Sequence, residues 1–108
     1  GALNTAVDTR ASSDRAAAEA WIDLSEPVAA DAVDAAAAAR QAHRVASQQD
    51  RVGEQLRKLG IVEVARVRHA RNAILVRATP AQLDLLRAIP GVVRVRPVDT
   101  LHPPKPMP

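Results

Sequence analysis

One continuous segment, residues 61–98, constrains the fold more than any other part of the chain. Its sequence is IVEVARVRH-ARN-AILVRA-TPAQLDLLRAI-PG-VVRVRPV, in which a turn separates two β-branched runs and a helix-forming run precedes a third. β-Branched runs bounded by turn residues are typical of strands. The segment therefore predicts strand, turn, strand, helix, strand. We place Asn72 in the turn because Asn tolerates a positive φ.

The helix of this segment has its own start and stop signals. Thr79 is the predicted N-cap, with Pro80 at the first helical position and Gln82 three residues after the cap. A Pro-Gly pair at 90–91 ends the helix. Three apolar residues at helical spacing are predicted to be buried: Leu83, Leu86 and Ile89.

The preceding residues predict one more strand and one long helix. Residues 20–24 form the strand, and residues 31–59 form the helix, in which any break would fall at 36–40. The predicted buried stripe of this helix consists of Ala38, Ala42, Val45, Gln49, Val52, Leu56 and Leu59. The complete order β-α-β-β-α-β predicts an α+β, ferredoxin-like sandwich, a four-stranded antiparallel sheet with two helices on one face.

The length of 108 residues allows one domain. We predict a disordered leader at 1–19, the folded domain at 20–98 and a Pro-rich extended tail at 99–108. Trp21 is the single aromatic residue, so the core must consist of Ala, Val, Leu and Ile. The chain has no Cys, which excludes disulfides and thiolate metal sites. No run approaches the length of a membrane span, and we expect no membrane association.

Residues typical of catalysis do not form a recognisable set in this sequence. It contains no Ser-His-Asp pattern, no Gly-rich phosphate loop and no clustered carboxylate pair, and its three histidines lack metal-ligand spacing. We therefore predict that the chain is not an enzyme and requires no cofactor or metal.

Strand alternation divides the side chains between the two sheet faces. The predicted helix-covered side comprises Ile22, Leu24, Ile74, Val76, Val93 and Val95. The predicted open side comprises Trp21, Asp23, Arg66, Arg68, Leu75, Arg77, Arg94 and Arg96. Arg and Trp are enriched at energetic hot spots of interfaces, so this side is a candidate binding face for an acidic protein surface. The alternative is an ordinary solvated sheet face.

Four segments resemble the propeptides of subtilisin-type serine proteases: IDLSEP at 22–27, RHARNAI at 68–74, RATPAQL at 77–83 and IPGVVRV at 89–95. The family usually has Asn-Gly in the central turn, whereas this chain has Asn72-Ala73. The family also places acidic residues after the last strand, where this chain has Asp99 alone. The resemblance covers roughly residues 20–98, which is most of the chain.

The resemblance implies a domain that guides the folding of a cognate protease, binds the protease through the open sheet face and inhibits it. The partner would be the subtilisin-like protease domain, the location secreted or periplasmic, and the free domain a monomer. Asp99 would contact a helix N-terminus of the protease. The substrate-cleft segment would comprise Leu101, His102, Pro103, Pro104, Lys105, Pro106, Met107 and Pro108.

Three other functions fit the same fold. The first is a free-standing inhibitor of subtilisin-type proteases. The second is an RNA-binding module, which the lack of aromatic residues in the two central strands disfavours, so we expect no nucleic-acid partner. The third is a small-ligand regulatory domain that dimerises through its sheet, for which the sequence offers no Gly-rich ligand loop.

Overall fold

The computed structural model describes residues 17–98, which form one four-stranded sheet with a long and a short helix packed on one of its faces. The strands are β1 (Ala18–Leu24), β2 (Val62–Val67), β3 (Ala73–Ala78) and β4 (Val92–Pro97). The helices are α1 (Ala35–Lys58) and α2 (Pro80–Arg87), and a 3-10 turn (Ala29–Asp31) precedes α1. The sheet order is β2-β3-β1-β4 with antiparallel neighbours, which confirms the predicted ferredoxin-like fold.

The core lies between the sheet and the two helices. Ile22 at its centre is opposite Ile74 on β3 and Val95 on β4. Val52 of α1 and Leu86 of α2 pack into the same cluster. Within residues 17–98 the buried apolar side chains are those of Ala, Val, Leu and Ile, as the composition predicts.

The long helix is continuous, without a break at 36–40. It begins at Ala35, about one helical turn later than the predicted start at residue 31, because the Asp34 side chain caps it by accepting a hydrogen bond from the Ala37 amide at 2.7 Å. Burial starts at Val45, whereas Ala42, which we predicted to be buried, is exposed. Gly60 ends the helix with a φ of 74°, a conformation that favours glycine.

The second helix forms as predicted. Thr79 and Gln82 make a reciprocal capping box, and Pro80 opens the helix. Leu86 and Ile89 are buried, and Leu83 packs against the core. These signals are local in sequence, which is why they could be identified without the fold.

Three local predictions are wrong. β1 begins at Ala18, so residues 18 and 19 belong to the sheet and not to the predicted leader. Asn72 does not have a positive φ, since no non-glycine residue within 17–98 has one, and it is buried. Val93 is 64% exposed because a register shift leaves it without a partner, and Val92 packs against the core in its place.

Within residues 17–98, neither helix combines the length and apolar character that a membrane crossing requires.

Candidate functional site

The sheet face opposite the helices is the candidate functional site, and we call it the open face. Its centre is Trp21 on β1, opposite Leu75 on β3 and Arg96 on β4. Trp21 and Leu75 are half-buried, whereas their core-side neighbours are fully buried. The centre of the face is therefore apolar, and charged side chains surround it.

Arg71 in the β2–β3 turn covers part of this apolar centre. Its guanidinium carbon lies 4.6 Å from the centroid of the Trp21 ring, a cation–π geometry. Nothing in the sequence indicates this contact, because Arg71 belongs to the turn segment ARN and not to a strand. The structure adds Arg71 to the residues of the open face.

Asp23 holds two arginines together at the β1–β4 side of the face. Its Oδ2 accepts from Arg96 Nε at 2.8 Å and from Arg94 Nε at 3.2 Å, and its Oδ1 accepts from Arg96 Nη2 at 2.9 Å. The two hydrogen bonds from Arg96, followed by the one from Arg94, hold the pKa of Asp23 below its usual value despite partial burial. Asp23 therefore remains ionised at neutral pH and orients both guanidinium groups.

Six of the eight side chains predicted for the open face lie there: Trp21, Asp23, Leu75, Arg77, Arg94 and Arg96. Arg77 is exposed, on the same face as Val62 of β2, which is 58% exposed. The face therefore extends from the β4 edge to the β2 edge, with arginines on both sides of the apolar centre.

The placement of Arg66 on the open face is wrong. A bulge at residue 64 shifts the β2 register, so that Ala65 is opposite Leu75 and Arg66 is opposite the core residue Ile74. Arg66 therefore lies on the helix side, where it pairs with Glu63 and with Asp50 of α1 at 2.8 Å. The hydrogen bonds with Glu63 and Asp50 raise the pKa of Arg66 further above its usual value.

The placement of Arg68 on the open face is also wrong. Its Nε donates to Gln49 Oε1 on α1 at 2.7 Å, so its side chain follows the helix side. The same bulge explains this result, since a shift of one residue moves every later side chain of a strand to the opposite face.

A buried polar network joins α1 to the end of β1 and to the β2–β3 turn. Asn72 Nδ2 donates to Gln48 Oε1 at 2.9 Å and to the Glu26 carbonyl at 3.0 Å, and Asn72 Oδ1 accepts from Gln49 Nε2 at 3.0 Å. Gln48 also donates to Ser25 Oγ at 2.7 Å. Helical spacing predicts that Gln49 lies on the buried stripe of α1, but it does not indicate which groups Gln49 bonds to.

The remaining site predictions lie outside the described residues. They are Asp99 and the tail residues Leu101, His102, Pro103, Pro104, Lys105, Pro106, Met107 and Pro108. Among residues 17–98 no group of three or more His, Asp or Glu side chains is placed to hold a metal ion.

Comparison of the chain with protein-family profiles, with characterised proteins and with solved structures gives no significant match.

Proposed function

We propose that this chain is the propeptide domain of a secreted or periplasmic subtilisin-type serine protease, and that it binds the protease through the open face. It assists folding of the protease domain and inhibits the mature enzyme, with the tail at 99–108 in the substrate cleft. The observation that carries the proposal is a β-α-β-β-α-β domain with one sheet face uncovered and lined by Trp21, Leu75 and arginines.

The composition of the open face supports binding to a protein. An apolar centre bordered by Arg side chains resembles the anatomy of energetic hot spots, where a desolvated aromatic anchor is surrounded by polar groups. Its three exposed or half-exposed arginines on β3 and β4 are Arg77, Arg94 and Arg96. Their excess over nearby carboxylates favours an acidic surface on the protease.

The arrangement of the family-like segments also supports the proposal. Three of the four, 22–27, 68–74 and 89–95, meet at one end of the sheet. The Leu24 amide donates to the Asn72 carbonyl at 3.0 Å, and the Ser25 amide donates to the Gly91 carbonyl at 2.9 Å. The resemblance therefore concerns residues that contact one another in the fold, as motifs shared within a family commonly do.

Inhibition of a purified subtilisin by the full chain tests the proposal. We expect inhibition in the micromolar range or tighter, and we expect Trp21→Ala to raise the inhibition constant at least tenfold, as removal of a hot-spot aromatic does. Arg77→Glu is a second variant. Because Arg77 is exposed, its substitution should leave the fold intact, so that weaker inhibition by this variant reports a loss of binding. Leu85→Ala is the matched control, since Leu85 is 46% exposed on α2, away from the open face. The proposal would be contradicted if the full chain failed to inhibit subtilisin. It would also be contradicted if the Trp21 and Arg77 variants had the same inhibition constant as Leu85→Ala.

Deletion of residues 101–108 tests the role of the tail. We expect the shortened chain to keep the far-ultraviolet circular dichroism of the full chain and to inhibit subtilisin at least tenfold less well, because an extended segment in a substrate groove contributes main-chain hydrogen bonds. Equal inhibition by the two chains would show that the tail does not enter the cleft.

A further inference from the structure

We propose that a cleft at the Asp23 end of the open face is a carboxylate-binding site, which receives an Asp or Glu side chain of the partner protein. This proposal rests on the proposed function, because the partner is the protein that docks on the open face. It adds the chemistry of one contact, which the sequence did not identify.

The cleft lies where β1 leaves the sheet. It has a volume of about 450 Å³, and its walls come from residues 24–28 and from the β2–β3 turn at 70–72. Three arginines line it: Arg71, Arg94 and Arg96. Two carboxylates line it as well, Asp23 and Glu26. The volume accommodates an acidic side chain with part of its own backbone.

Both carboxylates of the cleft are engaged by groups of this chain. Asp23 accepts three hydrogen bonds from Arg94 and Arg96, and Glu26 Oε1 accepts from Gln41 Nε2 at 3.0 Å. With three guanidinium groups against two carboxylates, the cleft keeps a net positive charge. A further carboxylate from a partner would balance that charge.

Two of the arginines keep unused donors. Arg94 is 68% exposed at its side chain, and within residues 17–98 its only hydrogen bond uses Nε, so both terminal nitrogens are available. In the same range Arg71 has the Trp21 ring as its contact and donates no hydrogen bond. Arg94 is held in place by Asp23, so it can present its two terminal N–H groups to a carboxylate as a preformed fork.

The neighbourhood of Trp21 favours a carboxylate of a protein over a nucleic-acid phosphate. Single-stranded RNA is bound on sheets of this type by bases that stack on aromatic rings. Trp21 lies on the central strand β1, so the expectation that the two central strands carry no aromatic residue is wrong. Its ring, however, is already contacted by Arg71. A charged site without a free stacking platform fits an acidic side chain, whose recognition needs the guanidinium fork alone.

The fluorescence emission of Trp21 can be used to measure binding in the cleft. Trp21 is the single Trp in a chain without Tyr or Phe, so its emission reports on the Arg71 stack without interference. We would titrate the full chain with N-acetyl-glutamate N-methylamide, and in parallel with the neutral glutamine analogue and with inorganic phosphate, at matched ionic strength. We expect a saturable change in emission with the glutamate analogue, and a response at least five times weaker with the other two compounds.

Two variants locate the site. Arg94→Gln should weaken binding of the glutamate analogue at least fivefold, whereas Arg87→Gln, which removes an exposed positive charge on α2 outside the cleft, should leave it unchanged. The proposal would be overturned if the glutamate and glutamine analogues gave equal responses, or if both variants lost binding of the glutamate analogue to the same extent. Stronger binding of phosphate than of the glutamate analogue would also overturn it.

The titration of the cleft and the inhibition of subtilisin can succeed or fail independently of each other. If the glutamate analogue binds as expected and subtilisin is not inhibited, the cleft stands and the protease assignment fails. If subtilisin is inhibited and Arg94→Gln changes neither the titration nor the inhibition constant, the protease assignment stands and the cleft fails.

Discussion

The side-chain amide of Asn72 donates to Gln48 Oε1 at 2.9 Å, which joins the β2–β3 turn to the middle of α1. Both side chains are buried. The Glu26 amide donates to the same Gln48 oxygen at 3.0 Å, so one acceptor serves two segments that are distant in sequence. Within residues 17–98 every fully buried side-chain nitrogen and oxygen has a hydrogen-bond partner. The network therefore fixes the turn that carries Arg71 to the open face.

Replacement of Asn72 by Ala should destabilise the domain by about 2–3 kcal/mol, because it removes three hydrogen bonds at a buried position, those with Gln48, Gln49 and the Glu26 carbonyl. Urea denaturation followed by circular dichroism measures the change. Asp84→Ala is the control, since Asp84 is 83% exposed and its loss should cost less than about 0.5 kcal/mol. Equal midpoints for the two variants would show that the network contributes little.

The features that could be predicted from the sequence depend on neighbours a few residues away. The capping box of Thr79 and Gln82 spans three residues, and the burial of Leu86 follows from helical spacing. The division of β1 and β3 between two faces follows from alternation, because these central strands are paired without interruption.

The features that could not be predicted depend on a bulge or on distant partners. Residues 61–69 do not alternate cleanly, which indicates a bulge or an edge position, and β2 has both. The sequence does not indicate that the extra residue lies at 64, and this position reverses the faces of Arg66 and Arg68. Asn72 and Gln48 are 24 residues apart, and nothing local to either marks the contact. Asn72 is also a common turn residue, which led to the wrong prediction of its backbone conformation.

Leu86→Ala should destabilise the domain by about 2–5 kcal/mol, because it opens a cavity in a core that has no aromatic residue to fill it. The adjacent Leu85→Ala is the matched control, with the same change of side chain at a position that is 46% exposed. Thermal denaturation of both variants checks the prediction. A similar melting temperature for the two would mean that α2 does not pack through Leu86.

Gly53 in α1 is expected to behave unlike other glycines inside helices. Gly→Ala in a helix normally stabilises by about 1 kcal/mol. Here an added Cβ would lie 2.7 Å from Arg66 Nη2, and Arg66 is held by Glu63 and Asp50. We expect Gly53→Ala to change stability by less than about 0.5 kcal/mol, because the displacement of Arg66 offsets the helical gain.

The background variant Arg66→Ala isolates this effect. Once the guanidinium is removed, Gly53→Ala should stabilise the domain by about 0.5–1 kcal/mol in urea denaturation, as in an ordinary helix. A double-mutant cycle that shows no coupling between the two positions would contradict the contact.

The contacts of Asp23 with Arg94 and Arg96 should make the free energy of unfolding depend on pH in the acidic range. The hydrogen bonds from Arg96 and Arg94 lower the pKa of Asp23 in the folded state, so folding favours its ionised form. The contribution is therefore fully present above the unfolded-state pKa of about 4, and it is lost as the pH falls through the lower pKa of the folded state. At pH 7 we expect Asp23→Asn to be less stable than the unsubstituted chain by about 1 kcal/mol, a small value because Arg94 is largely exposed to solvent.

Urea denaturation of both chains between pH 7 and pH 2 measures this difference. The gap between the Asp23→Asn variant and the unsubstituted chain should narrow steadily below about pH 4, because the protonated carboxyl of Asp23 and the amide of Asn carry no charge. Asp84→Asn, at an exposed i,i+3 pair with Arg87, serves as the control and should give a much smaller gap at pH 7. A gap between Asp23→Asn and the unsubstituted chain that stays constant with pH would mean that the charge of Asp23 does not hold the arginines.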